Sequence, residues 1–284
     1  MNNWLVFLIV FLVSAVTYNQ SFKLGLNKSN NNGAYIALVS LLTSLFSLLF
    51  IPFFKLKFDL NIYKILMLII TCILYSIVDR INVYVRKKID VSLFSLLRQF
   101  SYAFMIFIGF IFFKEKFVLI KFIGAILILL SNMIVLYDGR KYNRIDKKIL
   151  LLSLLSSLLF SITLFLNVNL SRCFNIPIYV FIILFIPFVC ISIFDKINIS
   201  KLKNEYIKGD RKQILLTSLA SSIMLISQLR AYELGSVVIV SSLCSLTIIL
   251  NIFFSYFILK EKNNFIKKLI AAIIIILSIV LIKI

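Results

Sequence analysis

The chain has no histidine, and it contains only seven glycines, three prolines and four cysteines among its 284 residues. Without histidine, imidazole metal sites and histidine general bases are excluded. No phosphate-binding loop of the Gly-x-x-x-x-Gly-Lys type occurs. The cysteines lack the paired spacing of zinc or redox motifs, and each falls within or beside an apolar run; they are Cys72, Cys173, Cys190 and Cys244. We therefore expect no metal and no cofactor.

Apolar residues are abundant instead. They make up 62% of the chain, whose mean hydropathy is +1.06, whereas a soluble domain is about 45–50% apolar. A water-soluble core could not bury so much apolar surface, so we expect a lipid bilayer to cover it. The formal charge of +20 does not indicate a nucleic-acid partner, because Lys and Arg occur in short clusters between apolar runs, as in membrane-protein loops.

Ten apolar segments are long enough to be transmembrane helices. A helix needs about 20 residues to cross roughly 30 Å of hydrocarbon, and these segments do not alternate as barrel strands would. The first lacks a basic leader and a small-residue cleavage site, so we interpret it as a retained helix. The predicted fold is an all-α polytopic membrane protein with segments at 4–22, 34–54, 62–82, 91–113, 118–137, 149–167, 176–194, 214–233, 237–259 and 265–283.

One charged motif occurs twice. FFKEKFVLIKFIGA at 112–125 and ILKEKNNFIKKLIA at 258–271 align at a constant offset of 146 residues. The repeat divides the chain into two predicted halves of five segments each, at 1–138 and 149–284. Because five is odd, the second half must enter the membrane from the opposite side. We therefore predict inverted repeats, an architecture of secondary transporters with a binding site at the repeat interface.

With these motifs, the sequence resembles the drug/metabolite transporter superfamily, EamA type, over essentially its whole length. The resemblance implies a substrate cavity between segments 1, 3, 4, 6, 8 and 9. It does not name a substrate, since the family exports amino acids, drugs, nucleotide-linked sugars and other metabolites. The Trp-Gly pair that the family often carries in the first helix is absent, and this region is SAVTYNQ at 14–20.

A row of polar residues in the fourth segment is the first candidate binding surface. Arg98 lies about two turns into the segment, and Ser101 shares its face. The repeat offset predicts a matching neutral face of Cys244, Thr247 and Asn251 in the ninth segment. Such a pair of faces favours an anionic or zwitterionic substrate, with Arg98 holding the negative group. In the alternative interpretation, Arg98 pairs with a carboxylate of the third segment to make insertion less costly. Two further candidates for the cavity are Tyr102 and Gln228.

Other polar residues are candidates for coupling, gating or turn structure. Asp79 is the candidate proton-coupling carboxylate, although Arg80 beside it could simply neutralise an interfacial aspartate. We expect the two glutamates of the repeated motif to hold the turns between helices. These are Glu115 and Glu261. Three amides could be gate residues or ordinary polar groups at helix ends, and they are Asn19, Gln20 and Asn167.

The sequence therefore predicts a membrane transporter rather than an enzyme. We expect alternating-access transport, by export, of a small polar or amphipathic metabolite, with a proton as the candidate coupling ion. The alternatives are an intramembrane enzyme, a lipid-handling protein or a passive channel. We expect a multi-pass protein of the cell membrane, as a monomer or homodimer, in a bacterium. Loop charges place both termini outside the cytoplasm, whereas the resemblance places them inside, and the sequence leaves this open.

Overall fold

The protein is predominantly helical in the part described by the computed structural model, which covers residues 3–112, 119, 123–124, 126–127, 130, 146–261 and 265–283. One isolated β-bridge joins Phe58 and Phe174. The described helices, numbered in chain order, are α1 (Asn3–Asn27), α2 (Asn32–Leu48), α3 (Ile62–Lys88), α4 (Val91–Phe112), α5 (Lys147–Ser171), α6 (Ile176–Phe194), α7 (Ile199–Lys208), α8 (Arg211–Leu234), α9 (Val237–Cys244), α10 (Thr247–Ile258) and α11 (Phe265–Lys283).

Six spans in the described residues are long and apolar enough to cross a membrane. They are Trp4–Asn27, Ile62–Lys88, Lys147–Ser171, Ile176–Phe194, Arg211–Leu234 and Val237–Ile258. Asn32–Leu48 is a shorter apolar helix. The chain is thus an all-α multi-pass membrane protein. The fifth predicted segment, 118–137, lies almost entirely outside the described residues.

Most helices begin at a residue that caps their first turn. Its side-chain oxygen accepts a hydrogen bond from a backbone N–H two or three residues later, which satisfies one donor that the helix leaves unpaired. This explains why the polar turns of an otherwise apolar chain are rich in Asn, Asp and Ser. The capping residues are Asn31, Asn61, Asp146, Asn175, Asn198, Asp210 and Ser236.

The second and third predicted segments differ most from the structure at their C-terminal ends. The second was expected to reach residue 54, but α2 ends at Leu48 and a 3-10 turn follows at Ile51–Phe53. Pro52 disfavours α-helical geometry for the residue before it. The third was expected to end at 82, but α3 continues to Lys88. Its last turn is basic, and cations stabilise the C-terminal end of a helix.

The ninth predicted segment, 237–259, was expected to be one helix, and this is corrected by the structure. It is interrupted between α9 and α10, where Ser245 N donates to Ser242 O and Leu246 N donates to Leu243 O, both at 3.1 Å. Serine is abundant here, and the Ser242 hydroxyl bonds to the Val238 carbonyl at 2.7 Å. Such side-chain bonds compete with regular helical hydrogen bonding.

Helices of one half of the chain pack mainly against helices of the other. The largest interfaces join α1 with α8, α2 with α6, and both α3 and α4 with α5. Serine hydroxyls line these interfaces and bond across them, as Ser157 Oγ does to Leu97 O at 3.0 Å. Small polar residues allow membrane helices to approach closely. The packing leaves the central cavities described next between the two halves.

Candidate functional site

Two adjoining cavities lie at the centre of the helix bundle. Their volumes are about 70 and 80 Å³, so each can hold several water-sized groups. Both are lined by the same five side chains, which therefore stand at their junction. Two of the five are cationic, in a bundle that is otherwise largely apolar. The junction residues are Tyr18, Arg86, Arg98, Phe160 and Met224.

The first cavity has a neutral, hydrogen-bonding wall. It is lined from α1, α3, α4, α5, α8 and α10. Gln228 Nε2 and Asn251 Oδ1 are buried and have no hydrogen-bond partner among the described residues. Unsatisfied buried polar atoms are uncommon in proteins and point to a missing ligand or water. Polar residues of this wall are Asn19, Ser95, Tyr102, Gln228, Thr247 and Asn251.

The second cavity contains the carboxylate. Besides the junction residues, α1, α2, α3, α6 and α8 contribute to its lining. Asp79 is its acidic residue among the described lining. Hydroxyls and an amide surround the carboxylate. Because of Asp79, this wall offers a negative charge, which the wall of the first cavity does not. The polar residues are Ser40, Thr43, Tyr75, Asp79, Asn82 and Ser221.

Arg98 faces both cavities without a carboxylate partner. Its guanidinium lies over the Phe160 ring, 3.5 Å from the centroid, and donates from Nη1 to Asn82 Oδ1 at 3.5 Å. Among the described residues no carboxylate forms a salt bridge with it. The alternative interpretation, in which a third-segment carboxylate pairs with Arg98, finds no direct ion pair among the described residues, although the charge of Asp79 in α3 acts on Arg98, and it stays an alternative. The cation is held by a ring and an amide, both neutral.

Arg86 is a second buried cation that the sequence interpretation missed. Its Nη2 donates to Asn19 Oδ1 at 2.8 Å, while its guanidinium lies 5.1, 4.7 and 4.1 Å from the ring centroids of Tyr18, Phe22 and Phe94. Aromatic faces attract cations, but they carry no net charge. Its Nε is buried without a hydrogen-bond partner among the described residues.

Arg86 was missed because the third predicted segment ended at 82. The residues Tyr75, Asp79, Asn82 and Arg86 follow the three-and-four spacing of one helical face, and all four line the second cavity. Extending the segment by one turn would therefore have placed Arg86 on the same face as Asp79. The basic cluster 86–88 fell between the predicted third and fourth segments.

Asp79 is separated from its sequence neighbour Arg80. Arg80 points away from the cavity and forms a salt bridge with Asp195 near the end of α6, so it does not neutralise Asp79. No described cation forms a salt bridge with Asp79. The charges of Arg98 and Arg86 act on it through the cavity. The three ionisable groups therefore form one electrostatic cluster with a net charge of +1 when all are charged.

Four predicted residues lie near the cavities without lining them. Ser101 donates its hydroxyl to the Arg98 carbonyl at 2.6 Å. Cys244 is fully buried in an apolar cluster, because α9 ends there and the chain turns before α10. Gln20 Nε2 donates to the Asn251 carbonyl at 3.4 Å and lines a separate apolar groove. Asn167 supports a cavity residue from behind.

Asn167 joins two buried tyrosines. Its Nδ2 donates to the Tyr75 hydroxyl at 2.8 Å, and its Oδ1 accepts from the Tyr179 hydroxyl at 2.7 Å. All three side chains are buried, and Tyr75 lines the second cavity. The chain of hydrogen bonds connects α3, α5 and α6. In this structure Asn167 therefore positions a wall of the cavity.

Glu261 caps a helix of the other half of the chain. Its carboxylate accepts hydrogen bonds from Val91 N at 2.8 Å, Ser92 N at 3.0 Å and Ser92 Oγ at 2.8 Å. These donors belong to the first turn of α4, where a negative charge is favourable. The predicted role within its own turn is thus extended to a contact between halves. Glu115, its counterpart in the repeat, lies outside the described residues.

The described residues contain no group of His, Cys, Asp and Glu side chains that could hold a metal ion.

The chain matches one known protein family along both of its halves. The model of the EamA-like transporter family matches residues 2–137 and again residues 147–284. The chain thus contains two copies of this repeat, while the exact domain limits of 1–138 and 149–284 stay a prediction. No curated protein matches the chain.

Proposed function

Because the chain belongs to the EamA-like transporter family, we propose that it exports a small anionic or zwitterionic metabolite through the two central cavities. The first cavity is lined from the six segments that the family resemblance implies, which supports this assignment. The family consists of transporters, so the proposal is a transport function without a chemical step. We place it in the cell membrane.

The observation that carries the proposal is the pair of arginines at the junction of the cavities. A buried charge is costly within a membrane protein and is normally paired. Arg86 and Arg98 have only neutral partners within hydrogen-bonding or ring-contact distance. A substrate carboxylate or phosphate between them would supply the missing negative charge and the specificity for anions.

The different walls of the two cavities suggest how the substrate is oriented. An anionic group at the junction would meet both guanidinium groups. A neutral polar part would then extend toward Gln228 and Asn251, whose buried polar atoms lack partners among the described residues. A hydrogen-bond donor or an ammonium group would extend toward Asp79. The substrate must be small, because each cavity accommodates only a few heavy atoms.

We propose alternating access between two inverted halves as the mechanism. Contacts at the helix ends support the inversion. Lys28, just after α1, pairs with Asp210 at 2.9 Å. The chain just after α5 lies at the opposite end of the bundle. There the backbone N–H of Asp59, shortly before α3, donates to the carbonyl of Cys173 at 3.1 Å. The corresponding helices α1 and α5 therefore end at opposite ends of the bundle.

The ionisation of Asp79 would couple transport to protons. With Asp79 charged, the lining groups carry a net charge of +1, which matches a monoanion. With Asp79 protonated, the net charge is +2 and anion binding becomes stronger. A proton and an anionic substrate would therefore favour each other's binding, which is the reciprocity that linked equilibria require. Both would then move in the same direction, so export would run down the outward gradient of the substrate and carry the proton with it. Asp79→Asn should bind substrate at all pH values but lose the dependence on a proton gradient.

The test of the site begins with purified full-length protein and a panel of small organic anions, screened by thermal shift and followed by flux into liposomes. Arg98→Gln and Arg86→Gln should each weaken the response to a hit by at least about 30-fold, because a buried charge pair is lost. Arg80→Gln is the matched control, since Arg80 is an exposed arginine of the same helix α3 that pairs with Asp195. Unchanged transport by Arg98→Gln would refute the site.

A further inference from the structure

The short helix α7 lies in the longest described connection between spans, and one of its faces packs on the bundle. Leu202 and Tyr206 pack against an apolar cluster formed mainly by α1 and α2. Glu205 is 2% exposed. Its Oε2 accepts hydrogen bonds from Asn30 N at 3.2 Å and Asn31 N at 3.1 Å.

A second face of α7 carries two apolar side chains that nothing in the described chain covers. Ile199 is 83% exposed and Ile207 is 47% exposed. At about 3.6 residues per turn these two side chains fall on one side of the helix, with Lys203 between them. A helix with exposed apolar residues and lysines beside them is typical of segments that lie in the membrane–water interface, where lysine side chains extend to the headgroups.

The connection that contains α7 is strongly cationic. Its acidic residues are already engaged, because Glu205 is buried against backbone amides and Asp210 pairs with Lys28 at 2.9 Å. Between residues 196 and 212 the cations therefore face the surroundings without acidic partners from this connection. They are Lys196, Lys201, Lys203, Lys208, Arg211 and Lys212. Basic clusters next to transmembrane helices attract anionic lipid headgroups.

We propose that α7 is a sensor of anionic phospholipid, which binds lipid phosphates through its lysines and inserts Ile199 and Ile207 beside the headgroups. Glu205 links this event to the bundle. Asn31 is the N-cap of α2, and α2 carries Ser40 and Thr43 in the wall of the second cavity. Lipid binding at α7 thus stabilises the N-terminal end of α2. The proposal concerns lipid and does not depend on which solute is transported.

Hydrogen–deuterium exchange of the full chain in nanodiscs tests the lipid contact. One set contains phosphatidylcholine alone, and the other contains roughly a quarter phosphatidylglycerol, at which amides of 199–208 should exchange about tenfold more slowly. Replacing Lys201, Lys203 and Lys208 together by Gln should abolish the difference. The matched variant with three Arg should retain it. High salt should also weaken it, because surface charges are screened.

The link through Glu205 is tested separately. Glu205→Ala should leave the lipid effect on 199–208 intact while the amides of Asn30 and Asn31 lose their protection. Glu205→Gln keeps an acceptor oxygen and should protect them.

The lipid proposal is overturned if phosphatidylglycerol has no effect on α7, or if the three-Gln variant responds as fully as the original chain. It is also overturned if α3 is slowed equally, since this is a general bilayer effect. Protection of α7 by soluble polyglutamate in phosphatidylcholine alone would instead identify an acidic protein as the partner.

Discussion

Removing the Glu261 carboxylate should destabilise the bundle at a site outside the two central cavities. Three hydrogen bonds of 2.8, 3.0 and 2.8 Å join this carboxylate to the first turn of α4. Glu261→Ala removes all three acceptor contacts. Glu261→Gln keeps one acceptor oxygen but loses the negative charge that the N-terminal end of a helix favours. The two substitutions therefore separate the hydrogen bonds from the charge.

The expected magnitude follows from these contacts. A hydrogen bond to a charged group contributes about 1.5–3 kcal/mol when fully protected, and replacing a helix cap costs about 0.5–2 kcal/mol. Glu261 is half-buried, so water can partly replace its contacts. We therefore expect a loss in unfolding free energy of about 2 kcal/mol for Glu261→Ala and about 1 kcal/mol for Glu261→Gln.

Thermal unfolding of purified full-length protein in one detergent, at one scan rate, measures the effect. Glu261→Ala should lower the midpoint by about 4–8 °C, if roughly 2–4 °C corresponds to each kcal/mol. Lys260→Gln changes the adjacent charge without touching the capping contacts, so its midpoint should stay at that of the original chain. If Glu261→Ala has the same melting midpoint as the original chain, the carboxylate does not stabilise α4, and the contact between halves contributes nothing to the unfolding free energy.

Three further predictions concern other parts of the structure. Burial raises the pKa of Glu205 above its ordinary value, so its contribution to docking of α7 is complete below that ordinary value and is lost as pH rises through the raised pKa. The protection of the amides of 199–208, after correction for the intrinsic pH dependence of amide exchange, should therefore fall over this range. Lys260 has a φ of 57°, so Lys260→Gly should stabilise the protein by about 1 kcal/mol in thermal unfolding. Asn167→Ala leaves two buried tyrosine hydroxyls unpaired and should cost about 3 kcal/mol, whereas Asn169→Ala, which removes one local bond to Phe165 O, should cost much less in the same assay.

For the pH prediction, the control is Glu205→Gln, whose protection at 199–208, after correction for the intrinsic pH dependence of amide exchange, should not vary with pH over that range. An equal pH dependence in this variant would assign the effect to another group. For Lys260→Gly, a lower melting midpoint would contradict the strain that the backbone angle implies. For Asn167, equal midpoints for the two alanine variants would contradict a stabilising role of the buried tyrosine contacts.

Much of the fold could be predicted because hydrocarbon imposes a length on apolar helices. The first and third segments were located within a few residues at their N-terminal ends, where Asn61 also caps α3. Ends and interruptions were harder to predict. The break between α9 and α10 depends on local bonds of serine hydroxyls, which an apolar run does not reveal. The helix α7 is short and charged, so a search for 20-residue spans could not find it.

The candidate site was predictable only in part, for a related reason. Helical spacing places residues on a common face, but it does not say which face turns inward. Arg98, Thr247 and Asn251 were expected together and do line one cavity. Cys244 was expected with them, but the break in the helix directs its side chain toward an apolar cluster. Arg86 lay beyond the predicted end of its segment, and its aromatic surroundings come from two other helices, α1 and α4.

The contact of Glu261 with α4 also has a consequence for biosynthesis. The carboxylate follows its partner Val91 by 170 positions, and at roughly 5–20 residues per second a ribosome needs about 10 to 30 s to add them. During that interval the first turn of α4 is already made while its stabilising charge does not yet exist. The early part of the chain must therefore wait in the membrane in an incomplete form. A truncated product that stops before residue 261 would never leave that state, which gives quality-control proteases a simple means of recognising it.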